Sequence, residues 1–199
     1  MNSDQVKEYY DSTKFSEIRA DLLLAIKLTE EPKIAIDCGC GAGSDIEYLV
    51  KQDFTVYGFD IEKESISRCK ERFSNNKVIL SHDSFGTFNY PKASLVLADA
   101  SLFFCPEGEF EYVWEKIYES LFVGGIFCGS FLGPLDTMAS PDHSKESLWP
   151  NSLVFDEKEV LSLFGNYDIC DITEHKISGK TDQGIPHDWH IFSVVAKKT

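Results

Sequence analysis

Four aspartates carry most of the chemistry that can be read in this chain. Asp37, Asp60, Asp83 and Asp99 each lie at or just past the end of a short run rich in apolar residues. The first is followed at once by Gly39, Gly41 and Gly43, alternating with Cys40 and Ala42. Glycines between a strand and a helix let a ligand approach the backbone, and the helix N-terminus offers free N–H groups. A dinucleotide is one reading, but two details oppose it. The GxGxxG pattern places its last glycine three residues after the second, and here Ser44 holds that place. Asp37 would also set a carboxylate beside a pyrophosphate. A ligand carrying positive charge is the better match.

S-adenosylmethionine, with an ammonium and a sulfonium, has that charge. Asp60 lies about twenty residues past the glycine loop, where an acidic side chain can accept from both ribose hydroxyls. Asp83, in His82-Asp83-Ser84, could accept from an adenine amino group. Asp99-Ala100-Ser101 follows the next apolar run. Each position also has a purely structural reading. The glycines could form a tight strand–helix turn. Asp60 could cap the helix beginning near Glu62, Asp83 and Ser84 could be turn residues, and Asp99 could be a cap. Cys38 and Cys40 read as small residues filling the turn.

A general base would be sought among the histidines. His187 and Trp189 share one face of the last strand, and Asp188, His190 and Phe192 the other. His187 and His190 are the candidates, although His190 also reads as a core-edge residue satisfied by a neighbour. His143 reads as solvated and His175 as strand surface.

Alternating strands and helices must hold these groups. Phe15, Ile18, Leu22 and Ile26 have helical spacing, which predicts a helix over Lys14 to Thr29. Strands are expected at Lys33 to Asp37, Phe54 to Phe59, Lys77 to Leu80, Ala93 to Ala98 and Ile126 to Leu132. Helices are expected at Ser44 to Lys51, around Ile66 to Phe73, at Phe110 to Leu121 and at Glu157 to Leu163. Gly124-Gly125 reads as the turn into the fifth strand. This alternation predicts an α/β fold with a parallel sheet covered on both faces. Two further strand-like runs, Tyr167 to Ser178 and Asp188 to Lys197, have no helix between them and should pair antiparallel. All four aspartates then fall at carboxyl ends of strands, where open α/β sheets bind ligands. Residues 133–152 form a long, proline-rich connection holding Met138, Leu148 and Trp149, a candidate lid over the acceptor pocket.

The composition narrows the function. The 199 residues suit one domain, with residues 1–30 as an N-terminal helical segment. A net charge of −14 argues against a nucleic-acid partner, which needs a basic face. No run approaches the ~20 apolar residues of a membrane helix. The polar N-terminus does not read as a targeting segment, so the expected compartment is the cytoplasm. The six cysteines show no paired CxxC spacing, so neither a zinc site nor a disulfide framework is expected.

The segments DCGCGAGSD, FDIEKES and HDS, with the terminal antiparallel hairpin, resemble a class I S-adenosylmethionine-dependent methyltransferase. VGGIFCGSFLGPLDTMA, GKTDQG and HDWHIFSVVAKK resemble bacterial small-molecule methyltransferases of the tellurite-resistance type. Asp188 departs from the basic residue more usual there. The resemblance implies a Rossmann-like doubly wound, mostly parallel seven-stranded sheet ending in an antiparallel hairpin. It implies S-adenosyl-L-methionine as cofactor, with contacts at Asp37, Gly39, Asp60, Asp83 and Asp99. Cys40, Gly41, Gly43, Ile61, Ser84 and Ala100 complete the candidate cofactor site. The expected activity is methyl transfer to a small acceptor, a soft thiol or an oxyanion such as tellurite included, by a monomer or homodimer. The alternatives are a NAD- or nucleotide-dependent Rossmann enzyme, or an inactive cofactor-binding module.

Overall fold

A computed structural model describes residues 18–74, 77–140, 151–181 and 184–199. Strand β1 (Ile34–Cys38) leads through the glycine loop to α2 (Ser44–Lys51), then β2 (Thr55–Asp60), α3 (Lys63–Arg72) and β3 (Val78–His82). Then follow β4 (Ala93–Ala98), α4 (Glu107–Ser120), β5 (Leu121–Leu132), α5 (Glu157–Leu163), β6 (Tyr167–Lys180) and β7 (Pro186–Lys198), with α1 (Ala20–Leu28) ahead of them all. The strands form one seven-stranded sheet in the order β3-β2-β1-β4-β5-β7-β6. The first five run parallel. β7 enters antiparallel between β5 and β6, and its pairing with β6 makes the expected hairpin.

Helices cover both faces, so the central strands are apolar on both sides. Leu95 and Leu97 of β4 pack with Leu22, Ile46, Leu49 and Ile66 of α1, α2 and α3. Val96 and Ala98 face the opposite layer, with Val113 and Ile117 of α4 and Val160 of α5. The Trp114 indole donates to the Leu163 carbonyl at 3.2 Å and ties α4 to α5.

Three expectations need adjustment. Among the described residues, the first helix starts at Ala20, because Arg19 is its extended N-cap with φ −70° and ψ 149°. Residues 14–17 lie outside the described residues. Gly124-Gly125 is no turn ahead of a strand, because β5 already begins at Leu121. The glycines lie in a bulge: between the pairs Ala93–Leu121 and Leu95–Ile126, β4 advances two residues and β5 five. Gly124 has φ +79°, which a glycine accepts at no steric cost. Finally, residues 141–150, the middle of the proposed lid with His143, Leu148 and Trp149, lie outside the described residues.

Candidate cofactor and acceptor site

The glycine loop is held by its own backbone. Gly39 and Cys40 both donate to the Phe59 carbonyl at 2.9 Å, and Gly43 donates to Cys40 at 2.9 Å. Gly41 donates to Asp60 Oδ2 at 2.9 Å. The Gly41 carbonyl accepts from the Ser65 hydroxyl of α3 at 2.7 Å. Two of the glycines are also places where no side chain fits. A Cβ on Gly39 would come within 2.7 Å of Ser101 Cβ, and one on Gly43 within 2.6 Å of the Phe73 ring. Both have positive φ as well. The loop therefore spends the N–H groups of residues 39, 40, 41 and 43 inside the protein. It does not present them as a nest for a pyrophosphate.

Acidic side chains gather around this loop. Asp37 is 5% exposed, and its Oδ2 is buried without a hydrogen-bond partner among the described residues. Burial, first, and the charge of Asp45, next, push its carboxyl well above the usual range, while Arg19 opposes them. Asp60 is also buried, and its Oδ1 accepts from the Glu62 N–H at 2.8 Å. Burial raises its carboxyl too, against the backbone bonds from Glu62 and Gly41. Asp60 thus joins Glu62, the N-cap of α3, to Gly41, and Ile61 beside it is 67% exposed at the rim. Asp83 and Ser84 form a turn: Asp83 Oδ1 accepts from the Thr87 hydroxyl at 3.2 Å, and the Ser84 N–H donates to Thr87 Oγ1 at 3.0 Å. At the end of β4 the Ala100 N–H donates to Ser130 Oγ at 2.7 Å.

Arg19 is the residue that sequence reasoning missed. Its Nη1 lies 3.0 Å from Asp99 Oδ2 and 3.1 Å from Asp45 Oδ2, and its Nε lies 3.2 Å from Asp21 Oδ1. It bridges the end of β4 to the first turn of α2, across the glycine loop. A single arginine in an acidic amino-terminal stretch gives no local pattern, and the partners are 26 and 80 residues away. Asp45 did have a signal, as an acid in the first turn of the helix after the loop.

The histidine candidates separate at the β5–β7 junction. The ring of His190 is buried; its Nδ1 accepts from the Leu135 N–H at 3.0 Å, so Nε2 carries the proton and donates to Glu174 Oε1 at 2.9 Å. Both of its nitrogens are in use. His187 Nε2 donates to Asp136 Oδ1 at 3.0 Å, and its ring stacks at 4.7 Å on Trp189. Asp136, 3% exposed, also accepts from the His190 N–H at 2.9 Å and from the Met138 N–H at 2.9 Å. The pair holds His187 in the tautomer whose other nitrogen, Nδ1, is the acceptor.

Known proteins share this fold. Residues 35–125 match a family described as a methyltransferase domain. No curated protein matches the chain in sequence. Among solved structures, TehB from Haemophilus influenzae superposes with a TM-score of 0.74 at 18% identity, over 98% of this chain and 67% of that one. An S-adenosylmethionine-dependent methyltransferase from Methanosarcina mazei gives 0.70 at 16%, over 92% and 99%. The Burkholderia thailandensis 1,6-didemethyltoxoflavin-N1-methyltransferase, with its substrate and S-adenosylhomocysteine bound, gives 0.65 at 18%, over 99% and 86%. Residues 35–125 thus match the methyltransferase-domain family, and the chain as a whole has the fold of the class I S-adenosylmethionine-dependent methyltransferases.

Proposed function

We propose that this protein transfers a methyl group from S-adenosylmethionine to a small-molecule acceptor. The observation that carries the reading is the buried Oδ2 of Asp37, unpartnered among the described residues, beside a glycine loop in which the N–H groups of residues 39, 40, 41 and 43 are already used. Such a site fits a cationic amino-acid moiety and gives a dinucleotide phosphate little to bind. In this reading Asp37, Gly39, Cys40, Gly41 and Gly43 line the amino-acid end of the cofactor. Asp60 and Ile61 hold the ribose and one face of the adenine, and Asp83 and Ser84 meet the adenine edge. Asp99 and Ala100 close the site at the end of β4. When bound, the cofactor supplies an electrophilic methyl on its sulfonium.

The chain's part is placement. Holding an acceptor in line with that methyl can supply about 7–11 kcal/mol of the barrier. Where the acceptor carries a proton, His187 is the group to take it, oriented by Asp136. His190, with both nitrogens engaged, supports the root of the 133–140 loop. A small acceptor agrees with the net charge of −14, which opposes nucleic acid. The Burkholderia enzyme, whose bound substrate is small, is a parallel on the same fold. Five buried free cysteines suit a reducing compartment, the cytoplasm. Among the described residues no helix is long and apolar enough to cross a membrane.

Calorimetric titration with S-adenosylhomocysteine and with NAD tests the cofactor. Binding of the first alone is expected, and binding of NAD alone would overturn the reading. Release of S-adenosylhomocysteine is then measured with tellurite, a small aliphatic thiol and a nitrogen heterocycle. Binding without turnover on any of them would favour a cofactor-binding module.

A further inference from the structure

Two cysteines meet beneath the glycine loop. Cys40, in the loop, and Cys69, on α3, belong to one buried cluster, and their thiols share a hydrogen bond. Their neighbours locate the two sulfurs. Cys40 Sγ lies by Gly58 of β2, where a Cβ would come within 3.4 Å of it. Cys69 Sγ lies by Gly43, where a Cβ would come within 2.9 Å, and it donates to the Gly41 carbonyl at 3.3 Å. With the Cys69 proton on Gly41, Cys40 is the donor between the two thiols. Its hydrogen bond, above all, pulls the Cys69 thiol below the usual range against the cost of burial, and Arg72 helps. The same bond, together with burial, pushes the Cys40 thiol up. A thiolate is the nucleophile of disulfide chemistry, so Cys69 is the attacking group and Cys40 its resolving partner.

We propose that Cys40 and Cys69 form a reversible disulfide site, through which a peroxide turns cofactor binding down. The Cys69 thiolate attacks one oxygen of hydrogen peroxide and breaks the O–O bond. This leaves a sulfenic acid on Cys69 and, with one proton, releases water. The Cys40 sulfur then attacks the Cys69 sulfur; the S–S bond forms, the S–O bond breaks, and the Cys40 proton leaves with the hydroxide as a second water. Each sulfur is oxidised by one electron, and the peroxide is reduced by two. Two equivalents of a small thiol reverse the step by exchange and leave as their own disulfide. In a reducing compartment a disulfide is transient and regulatory, and this pair suits that use. The control of binding rests on the methyl-transfer reading above, in which Cys40 lines the cofactor; the disulfide itself does not. A covalent bond brings the sulfurs closer than a hydrogen bond does and takes the proton that Gly41 accepts. Cys40 is drawn toward α3, and a close-packed interior passes the shift to Gly39 and Gly41 on either side of it. Cys40 is 7% exposed, which puts the pair just under the loop surface.

The test treats the full chain with hydrogen peroxide in the absence of thiols. The chain carries Cys170→Ser, so that its exposed cysteine cannot link two copies. Peptide mapping by mass spectrometry should find Cys40 joined to Cys69, lighter than the reduced pair by two hydrogens. Calorimetry should then show S-adenosylhomocysteine bound at least about tenfold more weakly than by the reduced protein, with recovery in dithiothreitol. Adding Cys69→Ala removes the attacking sulfur, and peroxide should then leave the affinity within roughly threefold of its untreated value. Cys69→Ser takes its place if Cys69→Ala does not fold. A map without the Cys40–Cys69 link would overturn the proposal. So would unchanged affinity in the linked protein, or an equal loss in the Cys69 variant. If neither the reduced nor the oxidised protein binds S-adenosylhomocysteine, the methyl-transfer reading fails and the control of binding with it, and the peptide map alone decides the disulfide.

Discussion

Asp60 Oδ2 accepts a 2.9 Å hydrogen bond from the backbone N–H of Gly41, which joins the end of β2 to the middle of the glycine loop. One carboxylate therefore shapes the loop and faces the position proposed for the ribose. Burial and two backbone bonds give this strand-end aspartate structural weight. In Asp60→Asn one of the two N–H donors meets an amide N–H₂ in place of an oxygen. Stability should fall by about 1–3 kcal/mol, and S-adenosylhomocysteine affinity by at least about tenfold. Urea denaturation and calorimetry read the two effects separately. Normal affinity in a folded Asp60→Asn would remove Asp60 from the ribose site.

Asp37 makes a prediction about pH. Burial raises its carboxyl above the value it has in the unfolded chain, about 3.9. Below that value both states are protonated and nothing is lost. As the pH rises through the folded value, the folded state resists ionisation and stability falls. Asp37→Asn should therefore stabilise the cofactor-free protein at pH 8, with the gain shrinking as the solution is acidified. The ligand's ammonium favours the ionised carboxylate, so S-adenosylhomocysteine binding should release a proton and tighten with rising pH. Calorimetry in two buffers of different ionisation enthalpy measures that proton. The same release in Asp37→Asn would assign it to another group.

His187 and His190 should respond in opposite ways. His190→Ala leaves the Leu135 N–H without its acceptor, leaves Glu174 with Lys176 alone and opens a void against Gly133, a cost of roughly 2–4 kcal/mol in stability. His187→Ala should leave stability within about 1 kcal/mol. With an acceptor that must lose a proton, its kcat should fall by about 10²–10⁴ while S-adenosylhomocysteine binding is unchanged. A His187→Ala enzyme with full turnover and an unaltered pH profile would exclude it as base.

The sequence made the scaffold legible because strand and helix periods rarely conflict in it. Ala93 to Ala98, Ser44 to Lys51 and Glu157 to Leu163 coincide with β4, α2 and α5, and the other strands lie close to their expected spans. Phe122 to Gly125 misled because two adjacent glycines signal a turn and a bulge alike. Within the loop, local spacing marks Gly39 and Gly43 as openings for a ligand, and the structure adds that they make room for Ser101 and Phe73. That is a matter of packing between distant residues, to which local spacing is blind. Arg19 was hidden for the same reason, since its role comes from the meeting of Asp21, Asp45 and Asp99. His187 and His190 were separable only once Asp136, Leu135 and Glu174 had fixed their tautomers.

The bulge in β5 bears on how the molecule tolerates change. Its looped-out residues lie at the amino end of the strand, and from Ile126 onward pairing with β4 and β7 is unbroken up to the edge that carries Asp99. Val123, at the crest, is 83% exposed. Slack in the sheet is thus kept at the rim opposite the chemistry. A fluorophore or a few extra residues grafted at Val123 would be absorbed there, and the far rim would not register the insertion.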